Sequence, residues 1–273
     1  MTRLTGNDIK DVSQDLQKLE DELIRLTGRK IKNIACEAVG MWEHAINPEA
    51  FNVAVVPVTS GLGVISRFTE SVRDICNWLG MNAHVTKTTD VQGFAEAITE
   101  KADMILMADD NEFIAYNTEE MRYSDNSSCT AKGYIAALNA AAGSILGKEV
   151  LVVGAGRVGT KACQFLLAKG SKVAVTDIDL EKARKVAEIH KGTRVIEDVE
   201  EAIRNADYII NASPAHIDTG NIKEGAVISS PGVPHTFDKE AYTKAVIIHD
   251  PLVIGAATMI MQSAYYSYKG CRR

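Results

Sequence analysis

The stretch from Val150 to Asp177 limits the possible folds of this chain more than any other part. It begins with an apolar, β-branched run and continues with glycines in the pattern Gly-x-Gly-x-x-Gly and an apolar helical segment. A second strand and an acidic residue close it. Strand, glycine turn, helix, strand and acid in this order form the dinucleotide-binding signature of a βαβ unit. The sequence therefore predicts a Rossmann-type parallel sheet.

The glycine turn predicts where a dinucleotide binds. Gly154 allows the tight strand-to-helix turn, Gly156 lets the backbone approach a pyrophosphate, and Gly159 lets the helix lie close to the strand. The N–H groups at the start of the helix, at Arg157 and Val158, favour the phosphates together with the positive end of the helix dipole. A Rossmann-like domain with a vestigial site is the alternative.

Asp177 predicts which dinucleotide is bound. It follows Gly154 by 23 residues, the position at which a carboxylate accepts hydrogen bonds from the adenosine ribose. The same negative charge would repel the 2′-phosphate of NADP, and no arginine follows Asp177 directly. NAD is therefore the predicted cofactor.

Composition and charge argue against several other classes of protein. The net charge of −6 and the pI near 5.6 predict neither a nucleic-acid partner nor an anionic membrane partner. The apolar runs are strand-sized and the N-terminus lacks an apolar signal core, so we expect no membrane association and a cytoplasmic location. Five scattered cysteines without Cys-x-x-Cys and six histidines without ligand spacing predict no metal site.

A long amphipathic helix is predicted between about Asn7 and Thr27, from apolar residues at spacings of three and four. Its narrow apolar stripe suits core packing, contact with a partner helix of a homodimer, or closure over a cleft, and the pattern leaves these alternatives open. With 273 residues and 46% hydrophobic content, we expect two domains, residues 1–130 and 131–254, and a closing helix at residues 255–273.

A smaller α/β domain is predicted to follow the first helix. Its alternating elements indicate a parallel sheet with right-handed crossovers. Strands are predicted at residues 53–56, 81–86 and 102–108, and helices at residues 64–79 and 91–100; an alanine-rich helix at residues 132–145 is predicted to connect the two domains. The expected fold is α/β, with a C-terminal NAD-binding Rossmann domain and a smaller N-terminal α/β substrate domain that carries the long helix.

Polar residues follow two strands of the smaller domain, at the edge where open α/β sheets bind ligands. Thr59, Ser60 and Gly61 follow the first strand, and Asp109 and Asp110 follow the third. Asp109 would hold a substrate ammonium, or accept its proton so that the adjacent carbon can release hydride. A turn cap is an equally good interpretation of the same residue.

Two polar loops of the predicted Rossmann domain also follow strands. Asn211 and Ser213 lie in the first loop and Pro231 in the second, and we expect these residues to border the nicotinamide and its ribose. Ordinary turn chemistry is the alternative, because Asn, Ser, Pro and Gly all form turns. One histidine near this edge could act as an acid or base, although surface or turn histidines are more common. The candidates are His216, His235 and His249.

Distinctive segments lie in both predicted domains. The most specific are Thr-Ser-Gly at residues 59–61 and Met-Ala-Asp-Asp at residues 107–110. The others are residues 4–28, 56–58, 63, 68, 105–106, 150–159, 230–234 and 251–259. Together they resemble the pyrrolysine synthase (PylD) family, and the resemblance spans nearly the whole chain.

The resemblance implies an activity and a set of site residues. The family oxidises the terminal amine of 3-methylornithyl-N6-lysine, a lysine-methylornithine isopeptide, with NAD; ammonia then leaves and the pyrroline ring of pyrrolysine forms. The resemblance implies that Leu4, Ser60 and Phe68 bind this substrate, that Asp109 holds or deprotonates the reacting amine, and that the first helix closes over it. The alternatives are another two-domain NAD-dependent amino-acid or shikimate-dehydrogenase-like enzyme, or a non-catalytic NAD-binding protein.

Overall fold

The computed structural model describes residues 4–9, 11–63 and 65–270. These residues form two compact units, each built on its own β-sheet. The five-stranded unit contains the described residues of 4–21, 30–129 and 252–270, and the six-stranded unit contains residues 22–29 and 130–251.

The sheet of the five-stranded unit combines parallel and antiparallel strands. They are β1 (Asn52–Val56), β2 (Asn82–Val85), β3 (Met104–Ala108), β4 (Phe113–Asn117) and β5 (Arg122–Asp125). Their order is β2-β1-β3-β4-β5, with β1 parallel to β2 and β3, and with β4 antiparallel to β3 and β5. The parallel part confirms the predicted alternation of strands and helices. The sequence does not predict β4 and β5, because β5 is short and polar and gives a weak strand signal.

The helices of this unit are α1 (Gly6–Ile9), residues 12–21 of α2 (Val12–Thr27), α3 (Ile31–Val39), α4 (Phe68–Trp78), α5 (Asp90–Thr99) and, at the end of the chain, α11 (Val253–Gly270). Helix α5 covers one face, where Ala97 lies in a buried cluster with Ala54, Val56 and Ile105. Helix α11, predicted as a closing helix, packs on α3, α4, β4 and β5.

The helix bounds differ from prediction at three places. The single N-terminal helix is described as α1 and α2 with Asp11 in a turn, and Lys10 lies outside the described residues. The helix predicted from Val64, also outside them, begins at Phe68, because Arg67 has a left-handed φ of 65°. The helix predicted at residues 132–145 is α6 (Asn126–Ala141); it starts earlier because the Asp125 carboxylate accepts a hydrogen bond from the Ser128 N–H at 2.8 Å.

The six-stranded sheet is parallel throughout. Its strands are β6 (Glu149–Val153), β7 (Lys172–Thr176), β8 (Thr193–Val195), β9 (Tyr208–Asn211), β10 (Val227–Ser230) and β11 (Val246–His249), and its helices after α6 are α7 (Arg157–Ala168), α8 (Leu180–Ile189), α9 (Val199–Asn205) and α10 (Ala241–Lys244). The order β11-β10-β9-β6-β7-β8 is that of a doubly wound Rossmann sheet. The predicted fold class is therefore confirmed.

The six-stranded sheet places the ligand-binding edge. Its direction of winding reverses between β6 and β9, which are neighbours with Val153 opposite Asn211. Ligands of open α/β sheets bind beyond the carboxyl ends of the strands at such a reversal. In the described part of the chain no helix is both long and apolar enough to cross a membrane.

Candidate functional site

The glycine turn after β6 has the geometry that the signature requires. Gly154 has a φ of 97°, and its N–H donates to the Thr176 carbonyl at 2.8 Å. A Cβ on Gly154 would lie 2.9 Å from the Ala212 carbonyl oxygen, and a Cβ on Gly159 would overlap the Gly154 carbonyl oxygen. Gly154 and Gly159 are therefore required by the packing of the turn itself.

Gly156 differs from the other two glycines. A Cβ added there would meet no described atom within 4 Å, so packing does not require a glycine. Gly156 is the N-cap of α7 and has no side chain to cap the N–H groups of the first turn, which begins with Arg157 and Val158. Open space before a helix N-terminus fits a phosphate, which the N–H groups and the helix dipole attract. Contacts of these residues with NAD stay predictions.

Asp177, at the end of β7, is held by the backbone around it. Its Oδ2 accepts a hydrogen bond from the Ala155 N–H at 2.6 Å, and its Oδ1 accepts one from the Asp179 N–H at 2.8 Å. A carboxylate has about four lone-pair positions, so both oxygens can still accept from the hydroxyls of a ribose. Ile178 beside it is 90% exposed. The residues present fit the adenosine half of NAD.

Replacing Asp177 by Ala is expected to weaken NAD binding and to relax the preference for NAD over NADP. The substitution removes the hydrogen-bond acceptor for the ribose and the charge that would repel a 2′-phosphate. Kd values for NAD and NADP, from fluorescence titration, measure both effects. Asp177→Asn is the matched control, since its amide oxygen can still accept from Ala155 while the charge is lost. Unchanged cofactor selectivity in both variants would count against this role of Asp177.

Asn211 joins the two loops predicted to border the nicotinamide. Its buried amide donates to the hydroxyls of Ser230 and Thr236, both at 3.1 Å. Its Oδ1 accepts from the Ser213 N–H at 3.3 Å, and its carbonyl accepts from the Gly232 N–H at 3.0 Å. The Asn211 side chain thus has an internal function that positions both loops, and a direct contact with the cofactor stays a prediction.

The two loops touch each other at small residues. A Cβ on Gly232 would overlap the Ser213 carbonyl oxygen. The Ser213 hydroxyl accepts from the Ala215 N–H at 3.1 Å, and Pro231 is half-buried next to Gly232. Both loops therefore have a defined backbone conformation at the carboxyl ends of β9 and β10. The contacts of Ser213 and Pro231 with NAD stay predictions.

Asp109 lies directly after β3 and closes the turn to β4. Its Oδ1 accepts hydrogen bonds from the N–H groups of Asn111 at 2.7 Å and Glu112 at 2.8 Å. These backbone donors, Glu112 first, lower the pKa of Asp109 below its ordinary value, against a weaker opposing effect of desolvation. The carboxylate is therefore ionised at any pH above about 4. Asp109 is a turn cap, and it also presents a fixed negative charge at the sheet edge.

The structure brings the two polar segments of this unit together. The Asp110 Oδ2 accepts a hydrogen bond from the Leu62 N–H at 2.8 Å. Gly61 has a φ of 70°, and a Cβ on it would overlap the Asp110 carboxylate. The loop after β1 and the turn after β3 therefore pack on each other through Asp110, as expected for the ends of neighbouring parallel strands.

Asp90 is a site residue that sequence reasoning missed. Its Oδ1 accepts from the Thr59 N–H at 2.7 Å, and its Oδ2 accepts from the Thr59 hydroxyl at 2.6 Å. The hydrogen bonds from Thr59 are the main cause of the lowered pKa of Asp90. Asp90 is the first residue of α5, so in the sequence it has the pattern of an ordinary residue at the start of a helix. Its partner lies 31 residues earlier, which no local pattern indicates.

The remaining predicted substrate residues lie in the same unit. Ser60 is exposed next to the clamped Thr59, and the Phe68 ring packs edge-on against Phe113 with centroids 5.1 Å apart. Leu4 is half-buried, and the residues directly after it line a surface cavity of about 570 Å³. The residues that line this cavity are Thr5, Gly6, Asn7, Asp11, Ser66 and Arg67. The substrate contacts of Leu4, Ser60, Phe68 and Asp109 stay predictions. Among the described residues no three His, Cys, Asp or Glu side chains converge as metal ligands.

Comparison with known proteins places the chain in a family. Residues 8–124 match the family model described as pyrrolysine biosynthesis protein PylD, N-terminal domain. Over 266 residues the chain is 34% identical to a pyrrolysine synthase of Methanosarcina acetivorans, which covers 95% of this chain and 98% of that protein. The chain belongs to the PylD family. A pyrrolysine synthase of Methanosarcina barkeri is 33% identical over 267 residues, 95% of this chain and 97% of the relative. The resemblance found in the sequence is confirmed.

The second half of this PylD-family chain matches a different group of proteins. Residues 136–227 match the family model described as shikimate / quinate 5-dehydrogenase. A shikimate dehydrogenase of Aquifex aeolicus superposes with a TM-score of 0.56 at 17% identity, over 84% of this chain and 96% of that chain. A quinate dehydrogenase of Corynebacterium glutamicum, in complex with NAD, superposes with a TM-score of 0.55 at 13% identity, over 80% and 93%. These similarities show a shikimate-dehydrogenase-like fold.

Proposed function

We propose that this PylD-family chain is an NAD-dependent amine dehydrogenase that converts 3-methylornithyl-N6-lysine to pyrrolysine. The observation that carries the proposal is the similarity, over nearly the full length of both chains, to proteins named pyrrolysine synthase. The open glycine turn with Asp177 suits a dinucleotide, and the negative charge of Asp109 suits an ammonium group.

Asp109 holds the reacting amine in this proposal but does not deprotonate it. An ammonium group is a much weaker acid than a carboxylic acid. The backbone hydrogen bonds lower the pKa of Asp109 and so widen this difference, which makes proton transfer from the ammonium to Asp109 unfavourable. The ionised carboxylate, fixed by two backbone N–H groups, is a good partner for the ammonium in the bound state and a poor base.

The oxidation requires a neutral amine, since a carbon bearing a protonated amine is a poor hydride donor. NAD, when bound at the glycine turn, would accept the hydride from this carbon. The substrate is then an imine, whose carbon is attacked by the α-amine of the same methylornithine part. The ring closes to five members, the bond to the terminal nitrogen breaks, and ammonia leaves as the C=N bond of the pyrroline forms. The attack is intramolecular and strongly favoured.

In this proposal the apolar residues of the site position the substrate and exclude water from it. Phe68, fixed edge-on against Phe113, and half-buried Leu4 would pack on the aliphatic part of the substrate. Excluding water at this point limits hydrolysis of the imine before the ring closes. Ser60, beside the clamped Thr59, would bind polar atoms of the isopeptide.

The proposal is tested with purified protein, NAD and synthetic isopeptide. We expect NADH absorbance and a product that is lighter than the substrate by one ammonia and two hydrogens in mass spectrometry. An isopeptide with a hydrogen in place of the terminal amine is the matched control, and it should give no NADH. Freshly purified protein that produces no NADH from the authentic isopeptide would contradict the proposal.

A second candidate function is that of another two-domain NAD-dependent amino-acid or shikimate-dehydrogenase-like enzyme. It is favoured by the match of residues 136–227 to shikimate / quinate 5-dehydrogenase. Turnover of shikimate, quinate or a free amino acid, with none of the isopeptide, would select this alternative. The homodimer is one of the alternatives that the sequence leaves open for the first helix, and the cytoplasmic location expected from the sequence stays a prediction.

A further inference from the structure

Helix α5 has apolar residues on two of its sides. On one side Gly93 and Ala97 are buried against the sheet of the five-stranded unit. On a second side four apolar residues are exposed, and we call them the α5 stripe. They are Val91 at 84% exposure, Phe94 at 37%, Ile98 at 47%, and Ala95, which is also exposed.

The spacing of the α5 stripe is that of one helix face. Its residues recur at i, i+3, i+4 and i+7, the pattern with which a helix buries a face against a neighbour. Single exposed apolar side chains are common on protein surfaces, whereas a continuous apolar patch marks an interaction site. The core side of α5 is formed by Gly93 and Ala97, so the stripe is a second apolar face, which the chain leaves exposed.

Charged residues of opposite sign lie at the two ends of the stripe. Asp90 precedes Val91, and hydrogen bonds from Thr59 lower the pKa of its carboxyl group, which is therefore ionised at neutral pH. Lys101 follows the other end of α5. Asp90 and Lys101 are eleven positions apart, about three turns at about 3.6 residues per turn. They therefore lie on the same flank of the stripe.

The backbone of Lys101 is unusual for a lysine, because its φ is 58°. The Lys101 N–H donates to the Ile98 carbonyl at 3.1 Å, and the Ala102 N–H donates to the Ala97 carbonyl at 3.0 Å. These two bonds form the Schellman ending of a helix, in which the left-handed position is usually a glycine. A residue held in a disfavoured conformation indicates a functional role, and at this position the lysine side chain is what a glycine would lack.

We propose that the α5 stripe is a homodimer interface, at which α5 packs antiparallel against α5 of a second copy of the chain. A twofold axis between Phe94 and Ala95 places Val91 of each copy opposite Ile98 of the other. In an antiparallel pair related by this axis the same flanks of the two helices meet. Lys101 of each copy then approaches Asp90 of the other, so the stripe is complementary to itself in both shape and charge, as a twofold interface requires.

The remaining acidic residues of α5 favour the same occupant. Glu96 accepts hydrogen bonds from the Thr88 N–H at 3.0 Å and hydroxyl at 2.5 Å, and Glu100 lies 2.9 Å from the His84 imidazole. These carboxylates are bound within the chain. A uniformly charged surface, such as nucleic acid or an anionic membrane, would attract one end of the stripe and repel the other. A second, antiparallel copy of the helix matches both ends.

Sedimentation velocity of the full chain at increasing concentration tests the proposal. Two turns of helix bury less than the roughly 800 Å² per partner of a standard interface, so we expect a reversible dimer with a Kd on the order of 10 µM. A chain that remains monomeric well above this concentration would overturn the proposal. The readout is mass in solution and not NADH, so the result is independent of the proposed function.

Phe94→Glu places a charge at the centre of the interface, and we expect it to raise the dimer Kd by about 100-fold. Ile189→Glu is the matched control, because Ile189 is 69% exposed at the end of α8, and its dimer should be unchanged. Thermal unfolding checks that both variants are folded. A dimer that persists in Phe94→Glu, for example through the first helix, would overturn the proposal, as would equal losses in both variants.

Lys101→Glu tests the charge pairing without changing the apolar residues. It sets carboxylates against each other at both ends of the interface, and we expect the dimer Kd to rise by about tenfold. Lys101→Arg keeps the charge and should keep the dimer. A Lys101→Glu protein that dimerises normally would overturn the antiparallel arrangement.

A disulfide between copies tests the position of the twofold axis. Ala95 lies beside this axis, so Ala95→Cys chains should form a covalent dimer when diamide oxidises the two thiols. The unaltered protein gives the background, since its described cysteines are buried: Cys36, Cys76, Cys129 and Cys163. Ile189→Cys is the matched control and should stay at this background. Ala95→Cys chains that join no more than Ile189→Cys chains would overturn the proposed contact.

Discussion

Replacing Asp109 by Asn is expected to lower kcat/KM for the isopeptide by about 100-fold while the Kd for NAD stays unchanged. A hydrogen bond between charged partners contributes up to about 3 kcal/mol, which is about 100-fold in rate or binding. The Asn side chain can still accept from the N–H groups of Asn111 and Glu112, which bond to the Asp109 Oδ1. The turn is therefore kept, while an amide NH₂ replaces the oxygen that would face the ammonium.

Two measurements separate this effect from a structural one. Steady-state kinetics with the isopeptide gives kcat and KM, and thermal unfolding checks that the variant is folded. Asp103→Asn is the matched control: this carboxylate precedes β3 at the opposite edge and accepts from the Asn52 N–H at 2.8 Å. It should have normal kinetics. Equal losses in both variants, or an Asp109→Asn enzyme with normal kcat/KM, would contradict the role of Asp109.

Asp109 also predicts a feature of the pH profile. Because backbone hydrogen bonds lower its pKa in the folded protein, its charge is present above the ordinary pKa of about 4 and is lost only at lower pH. Asp109 therefore contributes no inflection between pH 5 and 8. An acid limb in that range would therefore belong to another group.

Local sequence patterns were sufficient to predict the first βαβ unit of the six-stranded sheet. The glycine pattern predicted β6, α7, β7 and the position of Asp177, because the residues of such a unit contact neighbours that are close to them in the sequence. The packing of Gly159 on Gly154 is an example, since it follows from the geometry of one βαβ unit. The alternation of strands and helices also predicted that the sheet is parallel, whereas the order of its strands was seen only in the structure.

Long-range hydrogen bonds were beyond such patterns. The sequence predicted Asp109 and Ser60 at strand ends, but the hydrogen bonds from the Thr59 N–H to Asp90 and from the Leu62 N–H to Asp110 join residues 31 and 48 positions apart. Such residues come into contact only when the sheet has formed. The sequence therefore indicated candidate residues, and only the fold showed which partners hold them.

Gly156 and Gly159 are expected to differ in how the same substitution changes the stability of the free protein. In Gly159→Ala the new methyl group would overlap the Gly154 carbonyl oxygen, which is a backbone atom and can move only if the turn shifts. Overpacking of this kind costs up to about 3 kcal/mol or more, and we expect the melting temperature to fall by about 6–12 °C. NAD binding should be lost as well, because the N–H groups of the first turn of α7 move with the helix.

Gly156→Ala should leave the melting temperature of the free protein unchanged. Gly156 has a φ of −77° and a ψ of −166°, which alanine adopts without strain, and its Cβ would meet no described atom within 4 Å. The methyl group would, however, occupy the space through which a pyrophosphate approaches the backbone, so we expect NAD affinity to fall by about 10- to 100-fold. NAD stabilises the protein by about 2.7 kcal/mol at 100 times its Kd, and at the same NAD concentration this stabilisation should fall to about 0.4–1.4 kcal/mol in Gly156→Ala. Thermal unfolding with and without NAD measures both effects. A Gly156→Ala protein that binds NAD normally would show that the phosphates do not lie at this turn, whatever the stability of Gly159→Ala.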